Sequence, residues 1–516
     1  MRPIDYIDRG ALYAKDRPFV AGEDGAYTFA EMQSLSGSIA EAMYAQGFKV
    51  GDSAAVFSPN NALAVVCVMS VLRAGGAWVP VNVRNAPSTN AAFMGYVDTH
   101  WIFFHSSVLD AVETIVADIP SLKGVVCIDS ANTPYPSLEA FRAKGAGTAL
   151  PDWSDPFGAP DVVFSRWPTG GTTGPSKGVE ISNRSISTMI ELGLKHYVGD
   201  RTEDIVHLAV APITHAAGVI ITIFAAVGGG TIVLPGFDAP TVLKTIETAR
   251  VTHIFLPPTA FYGLLDEAAR NTYDTSSLRQ IIIAAAPVAP EKLREGVKRF
   301  GPVIAQCFGQ AESPMMVSWM RPEILAAAAQ GEHPERVASC GQITSATQVA
   351  ILDETGTALP PGERGEICVR GPLVTPGYYK LPEATAEIRR HGWHHTGDVG
   401  YLDEHGFLYI VDRLKDMIIT GGFNVFSAEV EAPILALPEV LECAVVGVPD
   451  PKWGEAVKAI VVLREGQSLD EAGLIEQVKP KLGSVKTPKS VEFWPALPKT
   501  NVGKTDKKEI KKKFQA

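Results

Sequence analysis

Short apolar runs alternate with segments of mixed spacing along the first part of the chain. Gly51-Asp-Ser-Ala-Ala-Val-Phe57, Gly76-Ala-Trp-Val-Pro-Val81, Thr99-His-Trp-Ile-Phe-Phe104 and Gly124-Val-Val-Cys-Ile128 read as strands. Between the first two, the apolar stretch from Asn60 to Arg73 is long enough for a buried helix, and Gly25 to Glu31 leads into another helix that runs to Gln46. Strands and helices in strict alternation predict a parallel α/β sheet. The same rhythm returns after a Pro- and Asp-rich approach at 134–160. Strands are expected over 251–256 and 278–283, and Gly228-Gly-Gly230 marks a turn before Thr231-Ile-Val-Leu234.

Beyond Gly341 the pattern shifts to short strands and tight turns. Gln348-Val-Ala-Ile-Leu352, the turn Pro360-Pro-Gly-Glu-Arg-Gly365 and Glu366-Ile-Cys-Val-Arg370 predict a small β subdomain over about 341–411. A helix over 429–437 and a strand over 443–448 follow, and the remaining length suffices for a compact α+β unit. The expected class is therefore α/β, with a large N-terminal domain of parallel-sheet subdomains over 1–411 and a small α+β domain over 412–516.

Composition narrows the function classes. Hydrophobic residues make up 46% and charged residues 20% of the 516, which is globular and too long for a single ordinary core. A formal net charge of -11 disfavours nucleic acid or an anionic membrane as partner. No continuous apolar span approaches membrane length, and no basic and apolar leader opens the chain. Cys67, Cys127, Cys307, Cys340, Cys368 and Cys443 are widely spaced, without metal-ligand pairs, which points to the reducing cytoplasm.

The densest phosphate-binding chemistry lies in Trp167-Pro-Thr-Gly-Gly-Thr-Thr-Gly-Pro-Ser-Lys-Gly-Val179. It follows the apolar run at 161–164 and precedes a helix expected from about Ser185. Gly170, Gly171 and Gly174 let backbone N–H groups approach an anion, Thr169, Thr172 and Thr173 add hydroxyls, and Lys177 adds charge. A Walker A loop is not supported, because the neighbours of Lys177 are Ser176 and Gly178. A plain Gly/Thr surface loop is the alternative.

This stretch closely resembles the T-S-G-T-T-G-x-P-K-G signature of the adenylate-forming superfamily of acyl-CoA synthetases, peptide-synthetase adenylation domains and luciferases. Gly170 stands where serine is usual and Ser176 where proline is usual. Further stretches match that family in order. Ala284-Ala-Ala-Pro287 resembles its adenine-wall segment, which assigns Ala285 to the nucleotide. Gln306-Cys-Phe-Gly-Gln-Ala-Glu312 resembles its aromatic-Gly-x-Thr-Glu motif, with Phe308 to stack on adenine and Glu312 to hold Mg²⁺. Ala311 replaces the threonine, so one hydroxyl contact is absent, with Gln310 or a water as substitute.

His394-His-Thr-Gly-Asp398 is expected to expose its histidines, and the resemblance assigns Asp398 and Arg413 to the ribose hydroxyls. Lys415 occupies the family's hinge position. Gly421 and Gly422 match the segment that passes the pantetheine arm, His215 the residue beside the carboxylate, and Lys504 the lysine that reaches carboxylate and α-phosphate. Lys486 and Lys489 are candidates for the CoA phosphates. The small domain is then mobile, exchanging Lys504 for the Gly421 segment between half-reactions.

What the resemblance implies is an ATP-dependent ligase using Mg²⁺ and CoA. A small carboxylic acid, aromatic or apolar aliphatic, becomes acyl-AMP and then acyl-CoA. The alternatives are transfer of the acyl group to a separate carrier protein, a luciferase-like oxidation, or a nonenzymatic nucleotide-binding protein. The reading admits a homodimer.

Overall fold

The computed structural model describes residues 1–153, 159–169, 176–199, 204–214, 216–499 and 505–514. Contacts divide the chain into two compact units. The first gathers the described residues of 1–349 with 369–394, and the second 350–368 with 395–514. The expected boundary at 411/412 falls within the strand Leu408–Arg413.

Two sheets build the first unit. One runs in the order Gly377–Tyr378, Gly178–Ser182, Val163–Pro168, Ala77–Pro80, Ser53–Phe57, Thr99–Phe104 and Gly124–Cys127. The strands from Val163–Pro168 to Gly124–Cys127 are parallel, and Ser53–Phe57 is buried at every position. That explains its continuous apolar run: a strand covered on both faces has no polar side to show. Asn61 accepts from the Ala64 N–H and starts the helix Ala62–Arg73, whose residues are buried from Val65 to Leu72.

In the other sheet, Gln280–Ile283, His253–Leu256, Val206–Ala209, Gly230–Val233 and Pro18–Gly22 pair parallel. Ile304–Gln310 joins parallel to Gln280–Ile283 and then turns back antiparallel into Ser313–Met320. Gly309 is required in that turnback. A Cβ there would stand 2.3 Å from the Met315 nitrogen, and Met315 itself has a φ of 52°.

The second unit contains Gly454–Leu463 as the centre of a small sheet, flanked by Val440–Asp450 and Ile418–Thr420 antiparallel and by Ser490–Phe493 parallel. The helices Ser427–Leu435 and Glu471–Lys486 cover one face, burying Val430, Ile434, Leu474 and Val478. Within the same unit Asp398–Leu402 pairs antiparallel with Leu408–Arg413. No helix among the described residues is long and apolar enough to cross a membrane.

Candidate active site

The glycine-rich stretch is not a strand–loop–helix unit. Val163–Pro168 and Gly178–Ser182 pair antiparallel, with Trp167 opposite Val179, so the strands that flank the stretch form a β-hairpin. The helix Asn183–Gly193 begins only after the second strand. Thr169 seals the neck: its N–H donates to the Lys177 carbonyl at 3.0 Å, and its hydroxyl accepts the Lys177 N–H at 3.0 Å. Ser176 donates to the Thr169 carbonyl at 2.6 Å. Gly170, Gly171, Thr172, Thr173 and Gly174 lie outside the described residues, as do His215 and Lys504.

Lys177 projects from the neck over the ring of Tyr378, with Nζ 4.7 Å from the centroid. The Tyr378 hydroxyl donates to Glu312 Oε1 at 2.7 Å. One aromatic residue thus brings the hairpin lysine and the predicted metal-binding carboxylate together. Burial and the adjacent Glu312 charge push the Tyr378 phenol well above its ordinary range, so it stays protonated and donating. The backbone supports the arrangement, since the Thr375 N–H donates to the Glu312 carbonyl at 2.8 Å and the Thr375 hydroxyl to the Glu180 carbonyl. Glu312 Oε2 has no hydrogen-bond partner among the described residues.

Phe308 is buried in the strand Ile304–Gln310, opposite Ser318. Ala285 follows the strand Gln280–Ile283, is exposed, and has a φ of 75°. An alanine in this left-handed region is strained, and such strain collects at functional sites. The carboxamide oxygen of Gln310, suggested as a stand-in beside Ala311, is 3.2 Å from His394 Nε2.

In the second unit, Asp398 and Arg413 face each other across adjacent strands, and Arg413 Nε donates to Asp398 Oδ1 at 2.6 Å. The carboxylate is 5% exposed and the guanidinium 49%, so the pair has a fixed acceptor and an accessible donor fork. The Thr-Gly-Asp turn is held from below. Thr396 donates to the Ile367 carbonyl at 2.6 Å and accepts the Asp398 N–H at 3.1 Å, while the Gly397 N–H donates to Glu366 Oε1 at 2.9 Å.

His394 and His395 are buried, against the expectation of surface histidines. They sit on an inner strand of their sheet, with Gly365–Arg370 on one edge and Arg389–Arg390 on the other. His395 Nδ1 is 2.7 Å from Glu366 Oε2 and 3.5 Å from Cys368 Sγ. The shorter distance is that of a hydrogen bond, less than the roughly 3.3 Å between two ligand atoms each about 2.0 Å from a tetrahedral zinc ion. This cluster orients the turn before Asp398.

Gly421 and Gly422 form the tip between Ile418–Thr420 and Phe423–Val425, with φ of 58° and 81°. A Cβ on Gly421 would lie 2.8 Å from Trp453 Cε3, whereas one on Gly422 would meet nothing within 4 Å. Lys415 is exposed, and local desolvation lowers its ammonium below the ordinary lysine range. Lys486 is paired with Glu429, and Lys489 donates to the Ser484 carbonyl at 2.7 Å.

Sequence reasoning missed Tyr378, Glu366 and Trp453. The signal for the first was a Gly-Tyr-Tyr cluster at 377–379; for the second, an acidic residue opening an otherwise apolar strand.

The model of the family described as AMP-binding enzyme matches residues 7–379, and that of the AMP-binding enzyme C-terminal domain matches 429–504. Over 363 residues the chain is 43% identical to a medium/long-chain-fatty-acid–CoA ligase of Mycobacterium tuberculosis, a match that covers 69% of this chain and 62% of that protein. It is 33% identical over 498 residues to the feruloyl-CoA synthase of an Amycolatopsis species, covering 95% of this chain and 94% of that one. The solved amide bond synthetase of Marinactinospora thermotolerans superposes with a TM-score of 0.87 at 29% identity, covering 100% of both chains. By these matches, the chain belongs to the AMP-binding enzyme family and carries the family's large and C-terminal domains.

Proposed function

We propose that this chain is an ATP-dependent carboxylic acid:CoA ligase acting on an aromatic or apolar aliphatic acid. The observation that carries the reading is the Asp398–Arg413 pair, a buried carboxylate and an accessible guanidinium 2.6 Å apart, suited to ribose hydroxyls. It occurs in a chain aligned over nearly its whole length with a feruloyl-CoA synthase.

In the first half-reaction a carboxylate oxygen attacks the α-phosphorus of ATP, forming acyl-AMP and expelling pyrophosphate. Two anions must meet, so donors aimed at the developing charge supply the main acceleration. The hairpin at 169–177 with Lys177 binds the β- and γ-phosphates, Ala285 and Phe308 flank adenine, and Asp398 and Arg413 hold the ribose. Lys504 bridges the carboxylate and α-phosphate, and His215 lies beside the acid. The donor set fits Mg²⁺: Glu312 offers a hard oxygen, Oε2, with no competing partner among the described residues. When bound, the ion neutralises phosphate charge. In the second half-reaction the CoA thiolate attacks the acyl carbonyl, AMP leaves with the C–O bond pair, and the thioester remains. Gly421 and Gly422 line the path of the pantetheine arm.

The test is acid-dependent release of pyrophosphate and AMP, with ferulate, benzoate and C4–C16 fatty acids, each with and without CoA. The ligase reading expects pyrophosphate with acid alone and AMP with thioester only when CoA is added. Pyrophosphate release with no CoA-dependent product would instead favour a carrier protein or an amine as acyl acceptor.

A further inference from the structure

Residues on both sides of the Lys504 position are pinned. The Asp506 N–H donates to the Pro498 carbonyl at 2.8 Å, and Lys499 and Thr505 form an antiparallel bridge. Lys499 Nζ reaches both oxygens of Glu442 at 2.9 Å. Asp506 caps the helix Lys507–Lys512, which buries Ile510 completely.

The first residue of that helix goes the opposite way from its lysine-rich neighbours. The Lys507 ammonium turns inward, donating to Glu431 Oε1 at 2.7 Å and to Ser427 Oγ at 2.5 Å, with its side chain 19% exposed. Ser427, fully buried, donates its hydroxyl hydrogen bond to Asp412 Oδ2 at 2.7 Å. Asp412 also accepts the Arg413 N–H at 2.8 Å on Oδ1. Glu431 Oε1 is fixed in turn by the Val445 N–H at 2.7 Å. Burial alone would lower the Lys507 ammonium, but Glu431 and Asp412 outweigh it and raise it above the ordinary lysine range. One positive charge is thus held between two carboxylates, Glu431 directly and Asp412 through Ser427.

None of these groups has a part in the chemistry proposed above. We infer that Lys507 is a positioning residue: held by Glu431, Ser427 and Asp412, it sets where Lys504 is delivered and ties that position to the Arg413–Asp398 pair. The connection is short, because Lys504 is three residues before Lys507 and Asp412 is the neighbour of Arg413. A supporting residue of this kind matters because a displacement of about 1 Å at a reacting group can cost about 100-fold in rate. The inference rests on assigning Lys504 to the first half-reaction only.

The experiment compares Lys507→Met, Lys507→Arg and Ser427→Ala in the full chain. Ferulate- and octanoate-dependent pyrophosphate release reads the first half-reaction, and thioester formation from supplied acyl-adenylate and CoA reads the second. Lys507→Met is expected to lower kcat for pyrophosphate release by about 10- to 100-fold, and to leave thioester formation within about twofold. Lys507→Arg should recover most of the loss. Ser427→Ala keeps the ion pair but cuts the link to Asp412, so it decides the matter if Lys507→Met does not fold; a selective first-step loss is expected. Equal loss of both half-reactions, or of neither, overturns the proposal while wild-type protein remains active. Wild-type protein silent with both acids in pyrophosphate release would instead overturn the ligase reading on which it rests.

Discussion

Tyr378 and Glu312, 66 residues apart in the chain, are joined by a 2.7 Å hydrogen bond from phenol to carboxylate. The same ring lies under the Lys177 ammonium. Removing only the hydroxyl separates the two contacts, since phenylalanine keeps the ring. A hydrogen bond to a charged group contributes roughly 1.5–3 kcal/mol. Tyr378→Phe is expected to slow acid-dependent pyrophosphate release about tenfold and to raise the Mg²⁺ concentration needed for half-maximal rate. An unchanged Mg²⁺ dependence would remove Glu312 from the metal.

Ala311 lies in the turn between Ile304–Gln310 and Ser313–Met320, directly before Glu312. Restoring a hydroxyl there adds one hydrogen-bond donor, a net gain of about 0.5–1.5 kcal/mol. Ala311→Thr should lower KM for ATP by roughly two- to tenfold. If steady-state kinetics show the same KM and kcat as the parent, the missing contact is without consequence.

The two glycines at the hairpin tip invite a paired comparison. Both have positive φ, so alanine strains the backbone at either site, but only at Gly421 does the added carbon meet Trp453, at 2.8 Å. Gly421→Ala is expected to depress thioester formation from acyl-adenylate by about tenfold or more and to leave pyrophosphate release within about twofold. Gly422→Ala should do less. Equal damage to both half-reactions would take the pantetheine arm away from this tip.

His207 is buried against Phe224, with ring centroids 4.7 Å apart. Burial, with a smaller effect from His253, pushes its pKa down to about 3. The unfolded chain therefore takes up a proton below about pH 6.5 that the folded chain refuses until about pH 3. Stability is full above the unfolded value and falls with pH across that window. Urea unfolding at pH 7 and pH 5 should show His207→Gln losing roughly 2 kcal/mol less than the parent between the two. Parallel losses would mean that His207 is protonated in the folded protein.

Much of the architecture could be read directly. Ser53–Phe57, Thr99–Phe104 and Gly124–Cys127 all lie where the apolar runs placed them, because buried parallel strands leave an uninterrupted signature. The glycine stretch gave no sign that the strands flanking it pair antiparallel. Gly178-Val-Glu-Ile-Ser182 mixes one exposed-type residue into a five-residue strand, too short to distinguish from the lead-in to a helix. His394 and His395 misled for a different reason: they lie on an inner strand of a sheet whose other strands come from separate segments of the chain, which no local pattern reveals. Tyr378 required the same kind of knowledge, since its partner is distant in sequence. Asp398 and Arg413 could be named as candidates because their motifs are local, although their cross-strand pairing is not.

The claim on which the account turns is that the acid is activated by attack on the α-phosphorus of ATP. Ferulate or octanoate with both carboxylate oxygens labelled with ¹⁸O should be turned over with ATP, Mg²⁺ and CoA, and the products weighed by mass spectrometry. The account predicts one ¹⁸O in AMP, one in the thioester carbonyl and none in pyrophosphate. AMP without label, or label in pyrophosphate or inorganic phosphate, would contradict it.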